Sequence, residues 1–196
     1  MGNKKLKIAV TGSIGSGKSL FAGFIREKGY TVIKADDVSK EILASDSAVR
    51  KKVIEIFGEA SFTGKEINRK YLAEKVFSNS ENVLIINSIL HPIVIKRIAK
   101  MMDEELKLKN KVFVEAALIY EANMEDKFDY IILITADQEL RYKRKAGEID
   151  YDDFLKRNSN QIPDEEKRKA ADFTFENNES IEELKKKVEL LLALIG

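Results

Sequence analysis

A run of residues near the N-terminus has the types and spacing needed to hold a polyphosphate. Residues 12–19 read Gly-Ser-Ile-Gly-Ser-Gly-Lys-Ser and fit the pattern G-x-x-x-x-G-K-[ST]. Glycines let the backbone curl so that successive N–H groups face a phosphate, and a helix N-terminus adds positive potential there. Lys18 supplies a mobile ammonium group for the β- and γ-phosphates, and the Ser19 hydroxyl is placed to bind Mg²⁺. The candidate nucleotide-binding residues are Gly12, Ser13, Ile14, Gly15, Ser16, Gly17, Lys18, Ser19 and Leu20.

The segments around this loop predict that it joins a strand to a helix. Lys7 to Thr11 is an apolar, β-prone run that leads into the glycines, and residues 19–28 place their apolar side chains on one helical face. Gly29 fits the C-terminus of that helix, and Thr31 to Lys34 is rich in β-branched residues. The pattern predicts two parallel strands with a crossover helix, which is the setting that a phosphate loop requires.

The remaining sequence predicts an α/β, three-layer P-loop fold with a five-stranded parallel sheet. Further strands are expected at Lys111 to Ala117, Tyr130 to Thr135 and Phe173 to Glu176. Residues 36–110 look helical, with a helix stop at Phe57–Gly58, a turn around residues 63–65 and no strand signal. Ser180 is expected to cap the last helix. We expect a single domain in residues 1–196, with a core (1–35, 111–137 and 161–196), a helical acceptor region (36–110) and a lid (138–160).

Composition argues for a small-molecule partner and against several other classes. The 34 basic and 33 acidic residues give a formal charge of +1, so no global field favours nucleic acid or an anionic membrane. The chain has no Cys, and its densest apolar stretch, Val83 to Ile95, is interrupted by polar residues and looks too short to span a membrane. No secretion signal is evident in the first residues. We expect a soluble, cytoplasmic monomer with no nucleic-acid or membrane partner, although these residues do not determine the oligomeric state.

The phosphate loop alone leaves several classes of nucleotide-binding protein open. A guanine-reading Asn-Lys-x-Asp sequence is absent, and 196 residues leave no room for a separate motor module. These features favour an ATP-dependent kinase that phosphorylates a small molecule. The alternatives are a different small-molecule or nucleotide kinase and a nucleotide-binding switch protein whose output is a protein partner.

Further segments, in order along most of the chain, resemble the dephospho-coenzyme A kinase family. Residues 11–19 look like the family's TGGIGSGKS with Ser13 in place of glycine, and residues 32–36 look like its V-I-D-A-D. The other matching segments are Phe57-Gly58, residues 68–72, Val76-Phe77, His91-Pro92, residues 115–121, Arg157 with Gln161, and residues 171–177. The resemblance implies transfer of the ATP γ-phosphate to the ribose 3′-hydroxyl of dephospho-coenzyme A, with Mg²⁺.

The resemblance assigns the acceptor chemistry to Asp36. In the family this aspartate faces the acceptor ribose, where it can take the hydroxyl proton or orient the hydroxyl. Asp36 or its neighbour Asp37 would also serve as an ordinary cap of the next helix. The chain departs from the family pattern at Lys34 and Glu115, where aspartate is usual, and at Ala117, where proline is usual. Lys34 in particular removes a carboxylate near the expected metal.

Four other residues are candidates for binding the acceptor, and two of them, Arg69 and His91, have a simpler structural alternative. Arg69 either binds the acceptor's pyrophosphate or pairs with a surface carboxylate. His91 is a candidate substrate residue, but we favour a structural role at the polar start of a helix that begins at Pro92. Leu118 and Glu121 lie in the family-like segment after the third strand of the sheet and are assigned to substrate by the resemblance.

The charged segment at 138–160 is expected to be a lid. Lids of P-loop kinases carry arginines onto the moving phosphate, and Arg144, followed by Arg141, is the preferred catalytic candidate. The alternative is a solvated helix face. Arg157 and Asn177 match family positions near the nucleotide, although an Asn-Asn pair at a strand end is also ordinary turn chemistry.

Overall fold

The computed structural model describes residues 4–196, which divide into two compact units. One unit contains residues 4–34 and 101–196, and the other contains residues 35–100. In chain order the elements are β1 (Leu6–Thr11), α1 (Lys18–Glu27), β2 (Thr31–Lys34), α2 (Ala35–Ser45), α3 (Ser47–Phe57), β3 (Phe62–Thr63), β4 (Glu66–Ile67), α4 (Arg69–Val76), α5 (Ser80–Leu108), β5 (Lys111–Glu115), β6 (Tyr130–Thr135), α6 (Gln138–Lys145), α7 (Tyr151–Ser159), α8 (Asp164–Ala170), β7 (Phe173–Glu176) and α9 (Ile181–Leu194).

The first unit is built on a five-stranded parallel sheet with the order β2-β5-β1-β6-β7. Strand β1 is central, and its apolar residues Ile8, Ala9 and Val10 are fully buried, as expected for a strand covered on both faces. Helices α1 and α9 pack against each other and share one apolar cluster with the sheet. The predicted five-stranded parallel fold is confirmed, with the phosphate loop at the carboxyl end of its middle strand.

The ends of several elements agree with the sequence-based predictions. Gly29 follows α1 with a φ of +88°, the left-handed conformation typical of a helix C-terminus. Helix α3 ends at Phe57 with Gly58 after it, and the Ser180 hydroxyl accepts a hydrogen bond from the N–H of Glu183 at the start of α9. The strand expected to run to Ala117 ends two residues earlier, at Glu115.

The second unit differs from its prediction in containing a short hairpin. Strands β3 and β4 pair antiparallel around Gly64, with Phe62 opposite Ile67 and Thr63 opposite Glu66. The turn near residue 64 was predicted, but the absence of strands was wrong. Two residues per strand are too few to produce the alternating pattern by which a strand is recognised in sequence.

Helix α5 also corrects two expectations. It carries Pro92 in its interior, so Pro92 does not start a helix. The apolar stretch from Val83 to Ile95 is part of this 29-residue helix, which is longer than the sequence suggested. By length and composition it is the one helix within residues 4–196 that would reach across a membrane. A core helix has the same signature, and buried residues recur every four positions: Ile86, Leu90, Val94, Ile98, Met102 and Leu106.

Candidate active site

The phosphate loop follows β1 and ends in the first turn of α1. Gly17 is the N-cap residue of α1, and no side chain caps the N–H groups of that helix end. These N–H groups and the helix dipole therefore favour an anion at this point. Both Gly15 and Gly17 have positive φ values, +78° and +93°. A Cβ atom on Gly15 would lie 2.9 Å from the Cα of Arg141, so glycine is needed there for space as well as for conformation.

Two side chains hold the second half of the loop by its carbonyl groups. The Asn177 side-chain amide donates to the Ser16 carbonyl oxygen (2.8 Å) and is buried. The Arg144 guanidinium donates to the Asn177 carbonyl oxygen (2.6 Å) and, at 3.4 Å, to the carbonyl oxygens of Gly15 and Ser16. Burial lowers the pKa of Arg144 from its ordinary value, but a guanidinium remains charged at neutral pH. The structure thus brings both predicted residues to the loop itself.

The first half of the loop is held by Gln161, which lies between α7 and α8, and by Asp164, the first residue of α8. The Ser13 hydroxyl donates to Asp164 Oδ1 (2.5 Å), and the Ile14 N–H donates to Gln161 Oε1 (2.9 Å). Ser13 is 3% exposed, so its hydroxyl needs a partner inside the protein. Asp164 was missed in the sequence analysis, and Gln161 was noted only as a family-like position. The departure from glycine at Ser13 was the one available signal, because it adds a buried hydroxyl.

Arg141 lies under the loop and is only 7% exposed. Its guanidinium donates to the Ala136 carbonyl oxygen (3.1 Å) and to Asn158 Oδ1 (2.7 Å), and it lies 5.8 Å from the ring centre of Phe154. Burial lowers its pKa, and the nearby Asp164 carboxylate partly opposes that shift. These contacts link Arg141 to α7, and its guanidinium also lies 3.4 Å from the Ile14 carbonyl oxygen of the phosphate loop. Most surroundings of Arg141 are those of a structural residue, whereas the contacts of Arg144 are with the phosphate loop and Asn177.

A hydroxyl and a carboxylate form the oxygen-rich side of the site. The Ser19 hydroxyl at the start of α1 donates to Oε1 of Glu115 (2.6 Å), the last residue of β5, which is 7% exposed. Because β1 and β5 are adjacent and parallel, the carboxyl end of β5 lies beside the loop that follows β1. Glu115 therefore stands where the family-like pattern has aspartate. Serine and carboxylate oxygens are ligands that suit Mg²⁺.

Asp36 lies two residues beyond the end of β2. Helix α2 begins directly at Ala35, so both Asp36 and Asp37 are inside its first turn and neither is the residue that precedes the helix. The Asp36 side chain is exposed, and no hydrogen bond from it is seen within residues 4–196, whereas Asp37 is 3.4 Å from Lys40. The capping alternative for Asp36 is therefore not supported by its contacts, and its catalytic role stays a prediction.

The other acceptor candidates of the second unit lie at two separate helices. Arg69 is the first residue of α4 and is exposed, and it has no ion pair with any residue from 4 to 196. The surface-pair alternative for Arg69 is therefore not seen. His91 precedes Pro92 inside α5, so the helix-start role that we favoured for it was wrong.

Leu118 and Glu121 follow β5 and have different surroundings. Leu118 is half-buried. The Glu121 carboxylate forms an ion pair with Lys167 (3.0 Å) and accepts a hydrogen bond from the Ile162 N–H (2.8 Å). The Lys167 side chain is fully buried. These contacts give Glu121 a structural function in fixing α8, and its assignment to substrate stays a prediction.

The last two nucleotide candidates lie on helices. Arg157 of α7 contacts Asp153 (3.0 Å) one turn earlier, and Leu20 in the first turn of α1 is 41% exposed. The roles of both residues at the nucleotide stay predictions.

Comparison with known proteins agrees with this geometry. A family model described as dephospho-CoA kinase matches residues 6–183. A curated dephospho-CoA kinase of Chlamydia caviae is 36% identical over 188 residues, covering 94% of this chain and 93% of that protein. A Thermus thermophilus crystal structure is similar with a TM-score of 0.79 and 31% identity over 98% of this chain and 99% of that chain. A dephospho-CoA kinase from Campylobacter jejuni has a TM-score of 0.72 at 29% identity, with 96% of both chains covered.

The parallel sheet with the phosphate loop at its middle strand defines a P-loop nucleotide-binding fold. The similarity to a solved kinase structure identifies the class as P-loop kinases, enzymes that transfer a phosphoryl group from a nucleotide. The family match extends far beyond these shared features and covers most of the 196 residues. The chain belongs to the dephospho-CoA kinase family.

Proposed function

We propose that this protein transfers the γ-phosphoryl group of ATP to the ribose 3′-hydroxyl of dephospho-coenzyme A, the last step of coenzyme A synthesis. The bond from the γ-phosphorus to the bridging β–γ oxygen breaks, a bond to the acceptor oxygen forms, and the hydroxyl proton passes to a carboxylate. The family match over residues 6–183 carries the proposal, because the phosphate loop alone is shared by many kinases. We place the reaction in the cytoplasm and expect no membrane or nucleic-acid partner.

Each named residue has one part in this reaction. The N–H groups of the phosphate loop bind the β-phosphate, Lys18 follows the moving phosphoryl group, and Arg144 meets charge that spreads over its oxygens. Asp36 accepts or orients the hydroxyl proton of the acceptor. Arg69 is the cation proposed for the acceptor's pyrophosphate, and His91, Leu118, Arg157 and Asn177 remain candidate contacts.

The Ser19 and Glu115 oxygens fit Mg²⁺, although no group of three His, Cys, Asp or Glu side chains able to hold a metal occurs within residues 4–196. Mg²⁺ keeps several water ligands and commonly binds to one or two protein oxygens together with substrate phosphates, so a large protein cluster is not required. When bound, it neutralises charge on the β- and γ-phosphates. Ser19 would be its direct protein ligand, with Glu115 orienting the hydroxyl.

The deciding experiment is to incubate the protein with Mg²⁺, ATP and dephospho-coenzyme A and to detect coenzyme A by mass. We expect ATP consumption to depend on this acceptor and the new phosphate to be on the ribose 3′-oxygen. Turnover with a nucleoside monophosphate but not with dephospho-coenzyme A would refute the proposal. Tight nucleotide binding with slow turnover that no acceptor stimulates would instead indicate a switch protein.

The Asp36→Asn variant tests the acceptor residue. Asparagine keeps the shape but cannot accept the proton, so turnover should fall by about 10²- to 10⁴-fold while both substrates still bind. Asp37→Asn is the matched control, because Asp37 is the adjacent exposed aspartate and forms an ion pair with Lys40 in the same turn. Near-normal turnover of Asp36→Asn would remove this residue from the chemistry.

A further inference from the structure

A lysine lies beside the oxygen-rich side of the site. Lys34 is the last residue of β2 and pairs in register with Glu115, the last residue of β5. Paired residues of neighbouring strands point to the same face of a sheet, and Glu115 reaches Ser19 on that face. The lysine also lines a groove of about 460 Å³ together with Ser19, Gly23, Arg26 and Glu27. Its side chain is therefore next to the residues proposed for Mg²⁺ and phosphate.

The ammonium group of Lys34 has no partner within the described part of the chain. It makes no hydrogen bond or ion pair with residues 4–196, although its register partner is a carboxylate. Glu115 is instead engaged by the Ser19 hydroxyl at 2.6 Å. A half-buried cation that does not pair with the neighbouring carboxylate is available to an anionic ligand, and its four-carbon stem lets it follow a group that moves.

We propose that Lys34 binds the transferred phosphoryl group once that group is on the acceptor. The proposal rests on the proposed function, which supplies the acceptor. Lys18 stands at the start of α1, whereas Lys34 ends β2 and precedes Asp36, the proposed acceptor residue, by two positions. Ligands of open α/β sheets bind at these carboxyl ends. The family-like pattern has aspartate here, so the substitution exchanges repulsion of phosphate for attraction.

Coenzyme A and dephospho-coenzyme A differ by the 3′-phosphate, so comparing their affinities isolates that group. We expect Lys34→Met, which keeps most of the side-chain length and removes the charge, to weaken binding of coenzyme A by about 10- to 100-fold, the range for hydrogen bonds to charged groups. Binding of dephospho-coenzyme A should change by less than about twofold. Lys34→Arg keeps the charge and should retain most of the coenzyme A affinity. Calorimetric titration without nucleotide measures all of these constants.

Arg26→Met is the matched control, because Arg26 is another cation lining the same groove but lies in the last turn of α1. It should leave the difference between the two ligands unchanged, and thermal melting should show both variants folded. Equal weakening of both ligands by Lys34→Met, or no weakening of coenzyme A binding, would overturn the proposal. If Lys34→Met changed only the Mg²⁺ concentration that the reaction requires, the proposal would also be overturned, since the lysine would then act through Glu115. Failure of the proposed function can be distinguished from failure of the Lys34 proposal, because the unmodified protein would then make no coenzyme A.

Discussion

Gly15 of the phosphate loop has no room for a side chain. Its φ of +78° favours glycine, and a Cβ atom there would meet the backbone of Arg141, with the carbonyl carbon at 2.8 Å. Backbone atoms cannot move out of the way as the end of a flexible side chain can. Gly15→Ala should therefore strain the loop by about 1–3 kcal/mol and weaken ATP binding about tenfold or more. Equilibrium titration with ATP and Mg²⁺ measures the effect.

The Gly29→Ala variant is a control that introduces backbone strain without a steric clash. Gly29 has a similar φ of +88°, but no atom lies within 4 Å of a Cβ atom built there. The substitution should lower the free energy of unfolding by about 1–2 kcal/mol and leave ATP affinity unchanged. If Gly15→Ala bound ATP as well as Gly29→Ala does, the close approach to Arg141 would have no influence on the loop.

At the residue scale, sequence predicted the groups of the phosphate-loop motif and two of the residues that support it, Arg144 and Asn177, and missed Asp164 and the contact of Glu115 with Ser19. The nucleotide loop was readable because its glycines, lysine and serine are consecutive. Asp164 is 151 positions from Ser13, and Glu115 is 96 positions from Ser19. Local sequence does not identify the partner in such contacts, since the two residues meet only when the chain has folded.

Helix α6 carries two arginines that the structure distinguishes. Arg141 is buried and bonded to Ala136 and Asn158, and its contact with the phosphate loop, at the Ile14 carbonyl oxygen, is a longer one of 3.4 Å. Arg144 is bonded to the Asn177 carbonyl oxygen and contacts the phosphate loop at Gly15 and Ser16. Arg141→Ala should mainly destabilise the protein, by about 1–3 kcal/mol, because it leaves buried acceptors unpaired. Arg144→Ala should mainly lower kcat, by about 10²-fold or more, because it removes a cation from the developing charge. Thermal melting and steady-state kinetics on both variants separate the two effects.

Lys143→Ala serves as the control for both variants. Lys143 lies on the same helix and is exposed, so its removal should change neither the melting temperature nor kcat. If Arg144→Ala also retained normal turnover, the charged face of α6 would be a solvated surface without a catalytic role.

At the element scale, prediction succeeded where a segment carries its own pattern. Strands β6 and β7 begin and end at the predicted residues, because each is an apolar or β-branched run with polar residues on both sides. The hairpin of β3 and β4 was missed because it has two residues per strand. Pro92 was misread as a helix start, since apolar residues at helical spacing on both sides of it keep α5 continuous despite one lost hydrogen bond.

At the scale of the whole molecule, stability at alkaline pH should depend on one buried phenol. The pKa of Tyr120 is raised to about 12, first by burial and then by the negative charges of Asp172, Glu125 and Glu121. Its hydroxyl is buried and has no hydrogen-bond partner within residues 4–196. The folded protein therefore keeps this proton at pH values where the unfolded chain, with an ordinary tyrosine pKa of about 10, has released it.

The direction in which pH changes the stability follows from this difference in the pKa of Tyr120 between the folded and unfolded states. A raised pKa in the folded state means that the contribution of Tyr120 to stability is complete below about pH 10 and is lost as the pH rises toward about 12. Tyr120→Phe removes the ionisation and a buried hydroxyl without a partner, so it should be nearly neutral or slightly stabilising at pH 8. Its free energy of unfolding should then exceed that of the unmodified protein by a margin that grows between pH 10 and 12.

Urea unfolding at a series of pH values measures this margin directly. Tyr151→Phe is the control, because Tyr151 is 48% exposed and its ring sits at the start of α7. The margin for that variant should stay constant with pH, while lysines and other groups affect all three proteins alike and cancel in the comparison. A constant margin for Tyr120→Phe as well would show that the folded protein does not resist ionisation of this phenol, and alkaline unfolding would then have to be attributed to other groups.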